Sequence, residues 1–471
     1  MRATAHPIGP DPFSDEVESA FLEQESFWTA ADLVSVATVR QIRSDAAKSA
    51  ASFIVNHADS GSPAFHSAQT FMEVEHGADT QPLDMNAEVG DKEAARIGRL
   101  RRLLSESPRN PLRWVDLALA HTSVGNRSRA DRAMRTALAM APQNRFVLRS
   151  AARFFVHSGK GDEALHWLNH SEGLLEDPWL LSAQIAVSQV VEAPTKHVRA
   201  ARELLNDGSI SPISSSELFA VLSTEELIAG RDKPARQFMA SALIEPTDNA
   251  VAQAVWGSEH GLDELSQEAL EVPRTFEART LQSMQDEDWS RAIDGVQFWL
   301  RDEPFSLRAS LHATYISSSG LQDFAQAINF AFDGLRINPG NLSLINNGAF
   351  ALANAGRAVD ALALLNSAKS SGGALIDFTM DATRGLVEFR MGNFERGRDL
   401  YRGSADAFRK AGRGHDLAAL CLVMWAREEV LANTEAGGRL LAEASEVAQR
   451  GTSRDAKLWL ERIRRQLRSP S

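Results

Sequence analysis

Apolar and small residues recur along this chain at a long, fixed spacing. From Pro111, the residues Trp114, Leu117, Ala118, Gly125, Ala130, Ala137 and Pro142 fall at positions 4, 7, 8, 15, 20, 27 and 32 of a 34-residue unit. From Leu342, the residues Ile345, Gly348, Ala349, Leu352, Gly356, Ala361, Leu365 and Ala368 take positions 4, 7, 8, 11, 15, 20, 24 and 27. On either side of the central glycine the apolar residues keep helical spacing, which predicts two antiparallel helices joined by a tight turn. Small side chains at the crossings let the two helices approach, and large ones fill the space between neighbouring pairs. A proline after the second helix ends the unit, because it lacks the N–H that would continue the ladder.

Fainter copies follow the same logic. The unit from Arg145 carries Leu148, Ala151, Ala152, Phe155, Gly159, Ala164 and Leu168, and the unit from Ser216 carries Phe219, Leu222, Gly230, Ala235 and Ala242. Others show only a second helix and its terminator, as in Trp289 to Pro304 and Phe324 to Pro339, or Gly392-Asn393-Phe394 leading to Tyr401 and Ser404. The pattern resembles that of the tetratricopeptide repeat (TPR) family. That resemblance implies an all-α fold, a right-handed α-solenoid of helical hairpins. Residues 91–247 are expected to form an N-terminal array and residues 248–471 a C-terminal array. The interruptions at 178–213, around Pro194 and Thr195, and at 249–273, ending near Pro273, are the expected places for a break. A terminal helix over 453–468, with Trp459, Ile463 and Leu467 inward and Arg462, Arg464, Arg465 and Arg468 outward, has the profile of a capping helix.

Residues 1–90 lie outside the repeats. Phe13, Val17, Phe21 and Trp28 share a helical face, and Thr29, with Asp32 three residues on, reads as the cap of a second, Ala/Val-rich helix, so helices are expected over about 14–58. Residues 59–90 carry Gly61, Pro63, Gly77, Pro82 and Gly90 without period and read as a linker, although Phe65, Phe71, Met72 and Val74 are apolar enough to dock. Two roles stay open for this region: a cap on the first repeat, or an arm that docks on a partner or on the protein's own groove.

Composition narrows the class. The chain has 471 residues, 44% hydrophobic and 24% charged, so it can bury a large core. Its single Cys, Cys421 in an apolar run, excludes a disulfide framework and suits a reducing compartment. No apolar stretch is long enough to cross a bilayer, and the first residues lack a signal-peptide pattern, so a cytoplasmic location without membrane attachment is expected. Arg outnumbers Lys 42 to 8, which with the abundant Ala suggests a bacterial, GC-rich source. Of the net charge of −12, residues 1–90 hold −10. An acidic head on a near-neutral body counts against nucleic acid as the main partner.

Candidate chemistry is sparse. His166 and His170 have the i, i+4 spacing of a zinc pair, but no Glu follows the first and no third ligand is evident, so packing histidines are expected. Gly159-Lys160-Gly161-Asp162 lacks the remainder of a phosphate loop and falls at the expected hairpin turn. No catalytic motif can be assembled, so neither enzymatic activity, nor a metal, nor a cofactor is expected.

The TPR resemblance instead implies a long groove lined by the first helices. Carried onto this chain, the unit from Arg145 presents Phe146, Arg149, Arg153, Val156 and His157, and the unit from Leu342 presents Ser343, Asn346, Phe350, Ala353 and Asn354. Arg149, Arg153 and His157 form a stripe that would suit an acidic segment, because guanidiniums one turn apart can grip carboxylates. Asn346 and Asn354 could bond an extended peptide. The basic and Asn sets lie far apart, unlike the chaperone-clamping members of the family. The expected function is therefore a protein-binding adaptor or regulatory subunit, one whose acidic head folds back on the groove near Arg149 and Arg153 until a partner displaces it. The alternatives are an RNA-associated repeat protein, using Arg96, Arg99, Arg101, Arg102 and the Arg462–Arg468 face, and a self-assembling solenoid.

Overall fold

A computed structural model describes residues 12–40, 44–58, 63–73, 89–206, 208, 210–368, 373–411 and 415–468. Among these the protein is all-α, with 26 α-helices, one π-helical turn and no strand. The chain gathers into two compact units, residues 1–282 and 283–471.

The first unit is a series of helical hairpins. Pro111–Ser123 pairs with Arg127–Met140, Arg145–His157 with Gly161–Asn169, and Pro212–Ile228 with Asp232–Ala242. The start of each first helix is set locally. Asn110 and Asn144 accept from backbone N–H groups of the following turn, and Asp177 does the same for Pro178–Val190, satisfying donors that a helix N-terminus leaves orphaned. The reversal is equally local: Gly125 has φ 73°, and the next N–H, of Asn126, closes back on His121 O at 2.8 Å. Gly356 repeats this in the second unit, with φ 79° and an Arg357 N–H to Leu352 O bond of 2.8 Å. A residue with φ near +75° after a helix strongly favours glycine, which is why these turns are legible in the sequence.

The second unit holds Leu307–Tyr315 with Phe324–Ile337, Leu342–Asn354 with Ala358–Asn366, Ala374–Arg390 with Phe394–Lys410, and His415–Leu431 with Gly437–Arg450, followed by Arg454–Arg468. Gly385 and Gly397 let Ala374–Arg390 and Phe394–Lys410 cross closely. A Cβ on Gly397 would lie 2.5 Å from the Phe389 ring and 3.1 Å from the Gly385 carbonyl oxygen. Gly397→Ala should therefore cost about 1–3 kcal/mol through overpacking, seen as a lower denaturant midpoint at unchanged m-value.

Several expectations change. The compact units divide at 282/283 and not at 247/248, because Asp248–Glu259 packs on Pro212–Ile228 and so belongs to the first unit. Residues 59–90 are not all linker: Pro63–Glu73 is a helix that buries Ala64, Ala68 and Phe71, while Val74 lies outside the described residues. The second N-terminal helix begins at Phe27. Ser26 caps it, accepting from Thr29 N–H while its own N–H donates to Thr29 Oγ1, so Thr29 is the reciprocal partner and not the cap. The terminal helix buries Trp459, Leu460 and Ile463, but leaves Leu467 exposed and half-buries Arg462; the Arg468 side chain lies outside what is described.

Candidate functional site

The first helices of the N-terminal hairpins form a face, and that face is filled. Helix Phe27–Arg40 packs against Pro111–Ser123, Arg145–His157 and Pro212–Ile228, the first helices of three hairpins. Its opposite side is covered by Pro12–Glu23, Asp45–His57 and Pro63–Glu73, so the N-terminal helices make a small bundle with one member seated in the groove. Being enclosed on both sides, this helix is apolar around much of its circumference: Phe27, Ala30, Ala31, Leu33, Val34, Val36 and Ala37 are all buried.

Two polar contacts fix its register. The Arg113 guanidinium lies 4.9 Å from the centre of the Phe27 ring, a cation–π arrangement. Asn144, 1% exposed, donates from Nδ2 to Asp32 Oδ1 at 3.2 Å while its Oδ1 caps the helix that follows. Loss of water pushes the Asp32 carboxyl up to about 6; Arg145 opposes the shift and Asp177 adds to it. Arg145 and Asp177 are themselves ion-paired.

A raised acid makes the docked state the tighter proton binder. Docking therefore gains as pH falls from about 7 through 6, and stops gaining below the ordinary carboxyl value of 3.8. His157 works the other way. Burial, with Arg127 and Arg153, pushes its imidazole down to about 4, so acidification below 6.5 costs stability until that group too is protonated. The difference between wild type and Asp32→Asn isolates the first effect. Amide protection over 27–40 should fall by at most about tenfold relative to the variant between pH 5 and 7.5, the full linkage value before solvent screening reduces it.

The stripe expected to grip an acidic partner has other occupations. Arg149 donates to both carboxylate oxygens of Glu217, at 2.9 and 3.1 Å, and its guanidinium lies 4.2 Å from the Trp179 ring centre. Glu217 also accepts from Asn249 at 2.7 Å. Arg149 is therefore engaged by an internal carboxylate. Phe146 packs partly buried on the core, Arg153 is exposed, and His157 is neutral at pH 7. The N-terminal region does lie on this helix, through Asn144 and apolar contacts rather than through Arg149.

In the second unit, Asn346 and Phe350 come together and Asn354 does not join them. Asn354 Nδ2 turns back onto Phe350 O at 2.9 Å, and its Oδ1 is buried without a partner among the described residues. Asn346 and Phe350 line a cavity of about 210 Å³, together with Trp459 of the terminal helix and residues that spacing alone did not single out, among them Tyr315, Thr379 and Thr383. The terminal helix reaches over this face. Trp459 meets the Phe350 ring edge-on at 5.9 Å, Tyr315 Oη donates to Asp455, and Arg462 donates to the Gly320 carbonyl. Tyr315 and Gly320 are separated from their partners by about 140 residues of sequence, so no local pattern could reveal these contacts.

Among the described residues no group of three His, Cys, Asp or Glu side chains is placed to hold a metal, and no helix is long and apolar enough to cross a membrane. The His170 ring bonds the His166 carbonyl at 2.7 Å, and Cys421 is a buried thiol pushed up to about 12. Arg99, Arg101 and Arg102 are exposed.

The site and fold define a helical-repeat protein. No protein-family model and no curated relative matches the sequence. Solved structures similar over nearly the full length include yeast Tom70 (11% identity, 97% of this chain and 96% of that chain, TM-score 0.35) and a human IFIT1 dimer with PPP-AAAA (11%, 98% and 96%, TM-score 0.33). A third is Naa15/Naa10 bound to HypK-THB (13% identity, 97% and 90%, TM-score 0.28). At these TM-scores the account of the site rests on this chain's own geometry.

Proposed function

We propose that the protein is a binding scaffold of the TPR kind, a bacterial, cytoplasmic adaptor or regulatory subunit that holds an amphipathic helix of a partner protein in the groove now filled by Phe27–Arg40. The observation that supports this is the seating of that helix against three first helices, Pro111–Ser123, Arg145–His157 and Pro212–Ile228. A groove that accepts one helix through an apolar face, a ring contact and one polar pin has what helix-in-groove recognition needs. The mechanism is binding, not turnover. The partner competes with a tethered helix, so its apparent affinity is lowered by the fraction of molecules in which the groove is filled. An effector enzyme under such control is the kind of partner this arrangement suits.

The test is a pull-down from nuclease-treated lysate of the source cell, with wild type beside Phe27→Ala as bait and a synthetic peptide of residues 25–42 as competitor. The reading expects a protein enriched on the variant and displaced by excess peptide. Capture that the peptide leaves untouched would place binding elsewhere and end this reading.

A further inference from the structure

The cavity in the second unit is independent of the N-terminal groove. Its body is apolar and aromatic, with Phe350 and Trp459 in edge-on contact forming one wall. Asn346 looks into it with a donor to spare. Asn346 is 8% exposed; its Oδ1 accepts from Thr383 Oγ1 at 2.7 Å, which fixes the amide, and among the described residues nothing accepts from its Nδ2. Its Nδ2 is open to water in the cavity, and a ligand oxygen would take that water's place as acceptor. The lining holds no Lys or Arg, and its one charged residue, Asp455, accepts from Tyr315. An anion entering here would lose its water without gaining a countercharge.

From this we propose that the cavity is a binding site for a small neutral carbonyl compound with an aryl or short acyl body. The ligand's oxygen accepts from Asn346 Nδ2, and its body packs against the wall that Phe350 and Trp459 form together. Size limits it further. An apolar cavity of about 150 Å³ takes benzene, so about 210 Å³ takes a ligand of roughly eight or nine non-hydrogen atoms. Because Asp455 and Trp459 belong to Arg454–Arg468, an occupant ties that helix to Leu342–Asn354, and binding stiffens the end of the chain.

The test uses the full chain and three probes of matched size: acetophenone, which carries the acceptor, cumene, which lacks it, and benzoate, which adds charge. Affinities are measured by ligand-observed NMR titration, and amide exchange over 454–468 is followed with and without acetophenone. The expected result is acetophenone binding about tenfold tighter than benzoate, a several-fold advantage over cumene that Asn346→Ala removes, and slowed exchange in the terminal helix. Ala382→Phe, which fills the cavity, abolishes binding; Thr379→Phe does the same should Ala382→Phe not fold with a wild-type circular dichroism spectrum. Benzoate binding as tightly as acetophenone, binding that survives the filled variant, or no binding by any probe would overturn the proposal.

Discussion

Phe27→Ala is expected to release the N-terminal helix from its groove, accelerating amide exchange across residues 27–40 by roughly 10²–10³-fold while the hairpin helices keep their protection. Phe27 is 7% exposed and sits where three helices meet. Its ring packs edge-on against Phe53 at 5.5 Å and against His57 at 6.2 Å, and carries the Arg113 guanidinium. Truncating a buried Phe costs about 3–5 kcal/mol, the transfer term plus the cavity left behind. Its groove partners belong to helical hairpins that also pack on one another, so the loss is expected to fall first on the N-terminal helix. Phe53→Ala is the control. It removes the same ring contact from within the N-terminal bundle but leaves Arg113 over Phe27. If Phe53→Ala exposed the helix as strongly, the bundle and not the groove would be what holds it, and the proposed competition with a partner would lose its basis.

The repeats were legible where local chemistry requires a particular residue. Gly125 and Gly356 mark turns because the backbone there has positive φ, and Ala118, Ala130 and Ala137 mark crossings because nothing larger fits, all three being fully buried. Repeats faded where the same turn was made by another residue. Glu287 at φ 57° and Asn433 at φ 51° close equivalent reversals, with Asp288 N–H to Ser283 O at 2.9 Å and Thr434 N–H to Glu429 O at 3.1 Å, so the glycine signal is missing while the geometry persists. At Ile316–Leu321 a π-helical turn adds a residue before the reversal at Gln322, which shifts the period itself.

The candidate site was half legible for a related reason. Helical spacing correctly places Arg149 and Asn346 on their first helices, but it says nothing about what arrives from elsewhere in the chain. Glu217 reaches Arg149 from 68 residues away and Thr383 reaches Asn346 from 37. A stripe of arginines therefore read as an open clamp when one member already had its carboxylate. Asp32, which pins the N-terminal helix, was singled out only for its place near a helix start, because its value comes from Asn144, 112 residues on.

The terminal helix carries the other large expected effect. Trp459 is 3% exposed, meets Phe350, and has the Arg427 and Arg462 guanidiniums at 5.2 and 5.1 Å from its ring centre. Trp459→Ala should cost the second unit about 3–5 kcal/mol, lowering its melting temperature and opening the arginines of Arg454–Arg468 to trypsin well before the hairpin helices are cut. The loss concentrates in this helix because little else fastens its far half: beyond Ile463, Arg465 and Leu467 are exposed. The Tyr315 to Asp455 bond pins the near end, with burial and the facing carboxylate pushing the phenol upward so that it stays a donor at every ordinary pH. Tyr315→Phe should cost less, about 1.5–3 kcal/mol for one hydrogen bond to a charged group. If Trp459→Ala melted and digested like wild type, the terminal helix would be held by Ala456, Leu460 and Ile463 alone, and the ring would be no more than one wall of the cavity.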